Sequence, residues 1–150
     1  MLLKSTLMIF FVLVVPAKIR PVEQGHFLEK IELPSKQTAV VAEGELEARS
    51  IGSFSVRLYE AARPGDETTF FTAGLVCARD GYLERVMLSD VDGDGRPEIV
   101  VIARSAGTGH YISAYAFSYS EGGLNRAGSA EGLSPEDDPV EVLRSLKCEE

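Results

Sequence analysis

Basic side chains are scarce in this 150-residue chain: 15 Lys and Arg stand against 23 Asp and Glu, a formal charge of −8. That balance argues against nucleic acid and anionic membrane as partners, since both demand cationic surface, and it suits a basic protein. Histidine and cysteine are scarcer still, two of each. His26, near the start, reads as a solvated residue. His110 has serine and threonine neighbours, but no spacing assembles a nucleophile, an orienting carboxylate and an oxyanion donor. Metal-ligand clusters of His and Cys are absent too. The chain is therefore not read as an enzyme. It also has no internal repeat and no low-complexity linker, which excludes propellers and repeat arrays.

Long apolar runs are missing apart from one. Lys4 precedes the stretch Leu7 to Val15, which ends at Val15-Pro16-Ala17, the pattern of a signal peptide cut after Ala17. A membrane span needs about 20 apolar residues, and here Pro16, Lys18, Arg20 and Pro21 intervene. No cysteine follows the run until Cys77, so the usual lipid-attachment site is lacking. The expectation is a leader over residues 1–17 and one exported, soluble, periplasmic domain over 18–150, with no membrane attachment after cleavage. An oxidising compartment permits a Cys77–Cys148 disulfide if the Cα atoms come within about 7 Å; the alternative is a buried Cys77 and a free thiol on the C-terminal tail.

What the chain does have is strand pattern. Phe54, Val56 and Leu58 alternate with Ser53, Ser55 and Arg57, a half-buried strand. Ile99 to Ala103 is an unbroken apolar run, as expected of a central strand covered on both faces. Tyr111 to Tyr119 alternates large and small residues and turns at Gly122-Gly123 toward Leu124 to Ala127. Thr38 to Ala42 and Phe27 to Leu33 supply further strands. Asp80-Gly81, between the stretches Phe70 to Ala78 and Leu83 to Leu88, reads as a hairpin turn joining two paired strands. At the end, Asp138 caps a helix that begins with Pro139, carries the stripe Val140, Leu143 and Leu146, and places Arg144 and Lys147 in its last turn. The predicted fold is all-β: an antiparallel sandwich or flattened barrel of about seven or eight strands with one short C-terminal helix.

Two loops could carry chemistry. Asp90, Asp92, Asp94 and Glu98, interspersed with Gly93 and Gly95, offer oxygen ligands at alternate positions, as a hard cation such as Ca²⁺ requires. An EF-hand is excluded, because Val101 stands where its bidentate Glu belongs. The plainer reading is a solvated turn built from good turn formers. The second loop, Arg104-Ser105-Ala106-Gly107-Thr108-Gly109-His110-Tyr111, has small residues that allow close approach to another surface and ends on a rigid aromatic with a polar tip. Its Gly-x-Gly is no dinucleotide site, since no helix follows to meet a phosphate. The plainer reading is an ordinary hairpin loop whose Tyr111 belongs to the next strand.

Taken in order, Val40-Val41-Ala42-Glu43-Gly44 to Arg57-Leu58-Tyr59, then Ser89-Asp90-Val91-Asp92-Gly93-Asp94-Gly95 to Glu98-Ile99-Val100-Val101, then Arg104-Ser105 to Thr108-Gly109-His110-Tyr111, the sequence resembles the periplasmic inhibitors of invertebrate-type (i-type) lysozyme over about residues 38–147. The resemblance implies an all-β bacterial protein without activity of its own, often dimeric, that protects peptidoglycan by blocking the lysozyme cleft. It also implies that a Ser-Gly-x-Tyr type loop enters that cleft. The matching positions are Thr108, Gly109, His110 and Tyr111, with Thr108 keeping the hydroxyl and adding a methyl group. Lysozyme works with two carboxyl groups flanking the scissile bond, so a plug needs donors: the hydroxyls of Thr108 and Tyr111, the N–H groups near Gly107 and Gly109, and Arg104. The competing expectations are a calcium-stabilised extracytoplasmic binding or adhesion module, and a small periplasmic hydrolase using His110.

Overall fold

The computed structural model describes residues 25–63, 69–120 and 123–147. The expected leader and Cys148, and with Cys148 the choice between a Cys77–Cys148 disulfide and a free thiol on the tail, lie outside the described residues. Eight strands form two antiparallel four-stranded meanders. The first contains β1 (Leu28–Glu32), β2 (Thr38–Glu43), β3 (Ile51–Tyr59) and β4 (Phe71–Asp80); the second contains β5 (Tyr82–Ser89), β6 (Glu98–Arg104), β7 (Ile112–Ser120) and β8 (Gly123–Leu133). This is the expected sandwich, closed by helix α1 (Pro139–Lys147).

Alternation decides which side chains the sheets enclose. Phe54, Val56 and Leu58 of β3 meet Ile99 and Val101 of β6 and Tyr115 and Phe117 of β7, all buried. Phe54 ties the layers together, its ring centroid 5.3 Å from that of Tyr115 and 6.1 Å from that of Phe117, within the range where tilted aromatic pairs attract. The opposite faces of β6 and β7 present Val100, Ile102, Ala114 and Ala116, which α1 covers with Val140 and Leu143. That second layer is why the β6 run is apolar at consecutive positions. The helix starts as expected, with the Asp138 carboxylate accepting the Val140 N–H at 2.9 Å. Leu146 does not complete the expected stripe: it is 45% exposed.

The Asp80-Gly81 link does not close a hairpin. It carries the chain from one sheet to the other: Asp80 pairs with Ile51 of β3, while Tyr82 pairs with Arg104 of β6. Gly81 does take the left-handed conformation such a turn needs, φ 84°, but a left-handed residue serves a sharp crossing as well as a hairpin. Partners distant in sequence determine which is made. Here Arg79, fully buried at the sheet seam, donates to the carbonyls of Ser53 at 3.0 Å, Arg49 at 2.9 Å and Ala48 at 3.2 Å, and also to that of Gly81. Glu43 lies 3.8 Å from the same guanidinium and accepts the Leu83 N–H at 2.6 Å. This buried pair locks the crossing to the β2–β3 connection and to the start of β5.

Candidate functional site

The register places the β2–β3 connection, the Asp80-Gly81 crossing, the β6–β7 loop and the end of β8 at one end of the sandwich. The β6–β7 loop is the projecting element. Arg104 and Ser105 are half-buried, and Ala106 to Tyr111 are exposed, Tyr111 to 55%. Tyr111 precedes β7 and does not belong to it.

Short-range hydrogen bonds shape this loop. The Ser105 N–H donates to the Tyr111 carbonyl at 2.8 Å and closes its base, and the His110 N–H donates to the Gly107 carbonyl at 3.2 Å. The Ser105 hydroxyl accepts the Gly107 N–H at 3.2 Å. His110 adopts φ 48°, a left-handed conformation that non-glycine residues take only when neighbours hold it. The Tyr111 ring lies so close over Gly109 that a Cβ there would sit 2.3 Å from it. Gly109 is thus needed for close approach to its own loop's aromatic. A groove lined by Ile51, Arg79, Asp80, Ser113 and Glu131 runs beside Tyr111. The sequence-predicted residues Arg104, Ser105, Gly107, Thr108, Gly109, His110 and Tyr111 therefore form one preorganised surface feature, with Thr108 and Tyr111 both exposed.

Gly81 underlies the loop. A Cβ at this glycine would sit 1.9 Å from the Arg104 carbonyl oxygen and 2.7 Å from the Ser105 Cα, so the sheet crossing is pressed against the loop's first residues. Sequence reasoning missed this, and it missed Glu84. The pairing slips between Leu83 and Arg85, leaving Glu84 as a β-bulge whose carboxylate meets the Arg104 guanidinium. The signal was there: two polar residues, Glu84 and Arg85, separate the buried Leu83 and Val86, which breaks period two. Arg104 holds the Glu84 carboxyl below its usual range by a side-chain hydrogen bond.

The acidic loop lies elsewhere on the fold, between β5 and β6. One carboxylate oxygen each from Asp90, Asp92 and Glu98 falls within 4.8 Å of the other two. Asp94 stands apart from that group and accepts the Arg96 N–H at 2.7 Å. Asp90 accepts the N–H groups of Gly93 at 2.7 Å and Gly95 at 3.0 Å, and Glu98 accepts that of Val91 at 2.8 Å. Burial pushes the Glu98 carboxyl up, and the charges of Asp92 and Asp94 add to it. Arg144 of α1 donates to the Asp90 carbonyl at 3.0 Å and ties the helix to this loop. Three hard oxygen donors of this kind suit Ca²⁺.

Among the described residues, no helix is long and apolar enough to cross a membrane. No curated protein sequence matches the chain. Solved structures do, among them the following two. The periplasmic lysozyme inhibitor of I-type lysozyme from Aeromonas hydrophila, PliI-Ah, is 41% identical, with a TM-score of 0.74 over 78% of this chain and 98% of its own. A. hydrophila PliI in complex with Meretrix lusoria lysozyme is also 41% identical, with a TM-score of 0.73 over 79% of this chain and 95% of its own. The family model for the periplasmic lysozyme inhibitor of I-type lysozyme, PliI, matches residues 25–147. With a matching fold and a match spanning all but the ends of the chain, this protein belongs to the PliI family of periplasmic inhibitors of I-type lysozyme.

Proposed function

We propose that the protein works in the periplasm as a proteinaceous inhibitor of i-type lysozyme, seating the loop from Arg104 to Tyr111 in the enzyme's active cleft and performing no catalysis of its own. The observation that carries this reading is the loop itself: exposed, closed at its base by the Ser105–Tyr111 hydrogen bond, and ending on a Tyr111 ring packed over Gly109. Such preorganisation lowers the entropic cost of binding. In the cleft, the Thr108 and Tyr111 hydroxyls and the loop amides would donate to the two carboxyl groups that flank the scissile bond. Tyr111 is the anchor, a residue type that dominates interface energies. The net charge of −8 speeds encounter with a basic lysozyme, and the effect fades as salt rises. The relative's complex with Meretrix lusoria lysozyme supports the choice of partner class.

Lysis of a peptidoglycan cell suspension by invertebrate, chicken and goose type lysozymes, each titrated with the protein, tests this reading. Stoichiometric slowing of the invertebrate enzyme is expected. Failure of the folded protein to slow any of the three removes the inhibitor reading. We further propose that Asp90, Asp92 and Glu98 hold a structural Ca²⁺ that braces the β5–β6 connection. Calorimetry is expected to show uptake at up to millimolar Ca²⁺, and a flat titration refutes it.

A further inference from the structure

We propose that Glu84, which lies outside the loop, is a positioning residue for inhibition: its bulged carboxylate sets Arg104, and Arg104 sets the peptide that carries Tyr111. This rests on the inhibitor reading above.

The chain of contacts is short and each link is polar. Glu84 is the unpaired residue of the β5 bulge, and a bulge turns one side chain away from the regular alternation. Its Oε2 meets Arg104 Nε. With that edge of the guanidinium occupied, Arg104 Nη1 donates to the His110 carbonyl at 3.2 Å. His110 is the non-glycine residue at φ 48°, and its carbonyl belongs to the peptide bond leading into Tyr111. The Arg104 side chain is 23% exposed and that of Glu84 33%, so this surface ion pair adds little to folding stability. Its value is geometric: without the carboxylate, a long side chain has many rotamers in which it does not reach His110. The loop then samples other conformations, and the bound one must be selected at a cost in affinity.

A positioning role and a direct electrostatic role leave different traces. A carboxylate that steers a basic partner changes the association rate in a salt-dependent way, whereas one that orders the loop changes the binding-competent fraction of the free protein and so shifts Kd by the same factor at any salt. Surface-immobilised i-type lysozyme should therefore be titrated with wild type, Glu84→Ala, Glu84→Gln, Arg104→Gln and the Glu84→Ala/Arg104→Gln double variant, at two salt concentrations. Glu84→Ala is expected to raise Kd about tenfold, by the same factor at both salts. Glu84→Gln, which keeps an acceptor oxygen, should fall between it and wild type. The double variant should bind no more weakly than Arg104→Gln alone, because Glu84 acts through Arg104.

Hydrogen exchange without lysozyme supplies the second readout: the Ser105 and His110 amides should exchange faster in Glu84→Ala while those of Val100 and Val101 do not change. A change in Kd below about twofold, or independent effects that multiply in the double variant, overturns the role of Glu84. So does unchanged exchange at Ser105 and His110. If the wild type inhibits and Glu84→Ala inhibits equally well, only this inference falls. If the wild type slows no lysozyme, the inhibitor reading falls and takes it along.

Discussion

Replacing Gly81 by alanine isolates the tightest contact beneath the loop. Two costs add. At φ 84° an L side chain is disfavoured by about 1–2 kcal/mol. The new Cβ would also sit 1.9 Å from the Arg104 carbonyl oxygen, a backbone atom that cannot swing away, and overpacking of this kind costs about 1–3 kcal/mol. The sum is about 3 kcal/mol, or a fall in Tm on the order of 10 °C for a domain of this size. Gly93 provides the control. It too has positive φ, 78°, but nothing lies within 4 Å of its Cβ position, so Gly93→Ala should show only the conformational cost, about 1 kcal/mol. Gly81→Asn separates the terms again, since asparagine tolerates the conformation but brings the same Cβ. Urea denaturation with unchanged m-values is the assay. The steric reasoning is wrong if Gly81→Ala costs no more than Gly93→Ala, or if Gly81→Asn restores full stability.

Other perturbations separate stability from binding. Gly109→Ala pushes against the exposed Tyr111 ring and not against backbone; it should leave the unfolding free energy within about 0.5 kcal/mol of wild type yet weaken lysozyme inhibition by about tenfold. Arg79→Met strips the donor from four backbone carbonyls and leaves Glu43 buried without its cation; a loss of about 3–5 kcal/mol is expected in the same denaturation assay. For the acidic loop, 1 mM Ca²⁺ should raise the Tm of wild type in a thermal scan and not that of Glu98→Gln, a variant that removes one of the three converging carboxylates. The Glu84 carboxyl is held low in the folded state, chiefly by its hydrogen bond to Arg104. Its contribution is therefore present above the ordinary carboxylate range and lost as pH falls through the lowered folded value. Loop-amide exchange in wild type should accordingly approach that of Glu84→Ala only in acid.

Much of this molecule was legible from local pattern, and the exceptions share a cause. The β3 alternation, the continuous β6 run and the Asp138-Pro139 helix start all formed as their chemistry dictates, because each is decided within a few residues. Asp80-Gly81 adopted its expected backbone conformation but not its expected partners: the conformation is local, whereas strand pairing depends on Ile51 and Arg104, far away in sequence. Strand β8 runs from Gly123 to Leu133, well past the expected Ala127, since β7 offers it a pairing edge that its own glycines and polar residues do not announce. The residues from Arg104 to Tyr111 came together because they are contiguous. Their supports did not show, because Glu84, Gly81 and Arg79 act across strands. Parity could have exposed Arg79, which falls on the inward side of β4 with Ala73, Leu75 and Cys77; a charge at an inward position signals a buried partner.

Whether the loop ending at Tyr111 occupies the lysozyme cleft is decided by steady-state kinetics of an i-type lysozyme on a soluble oligosaccharide substrate. With increasing wild-type protein the apparent KM should rise while kcat stays constant, and Tyr111→Ala should need about 30-fold more protein for the same effect, equivalent to about 2 kcal/mol. A fall in kcat at constant KM, or a Tyr111→Ala variant as potent as wild type, would contradict the account.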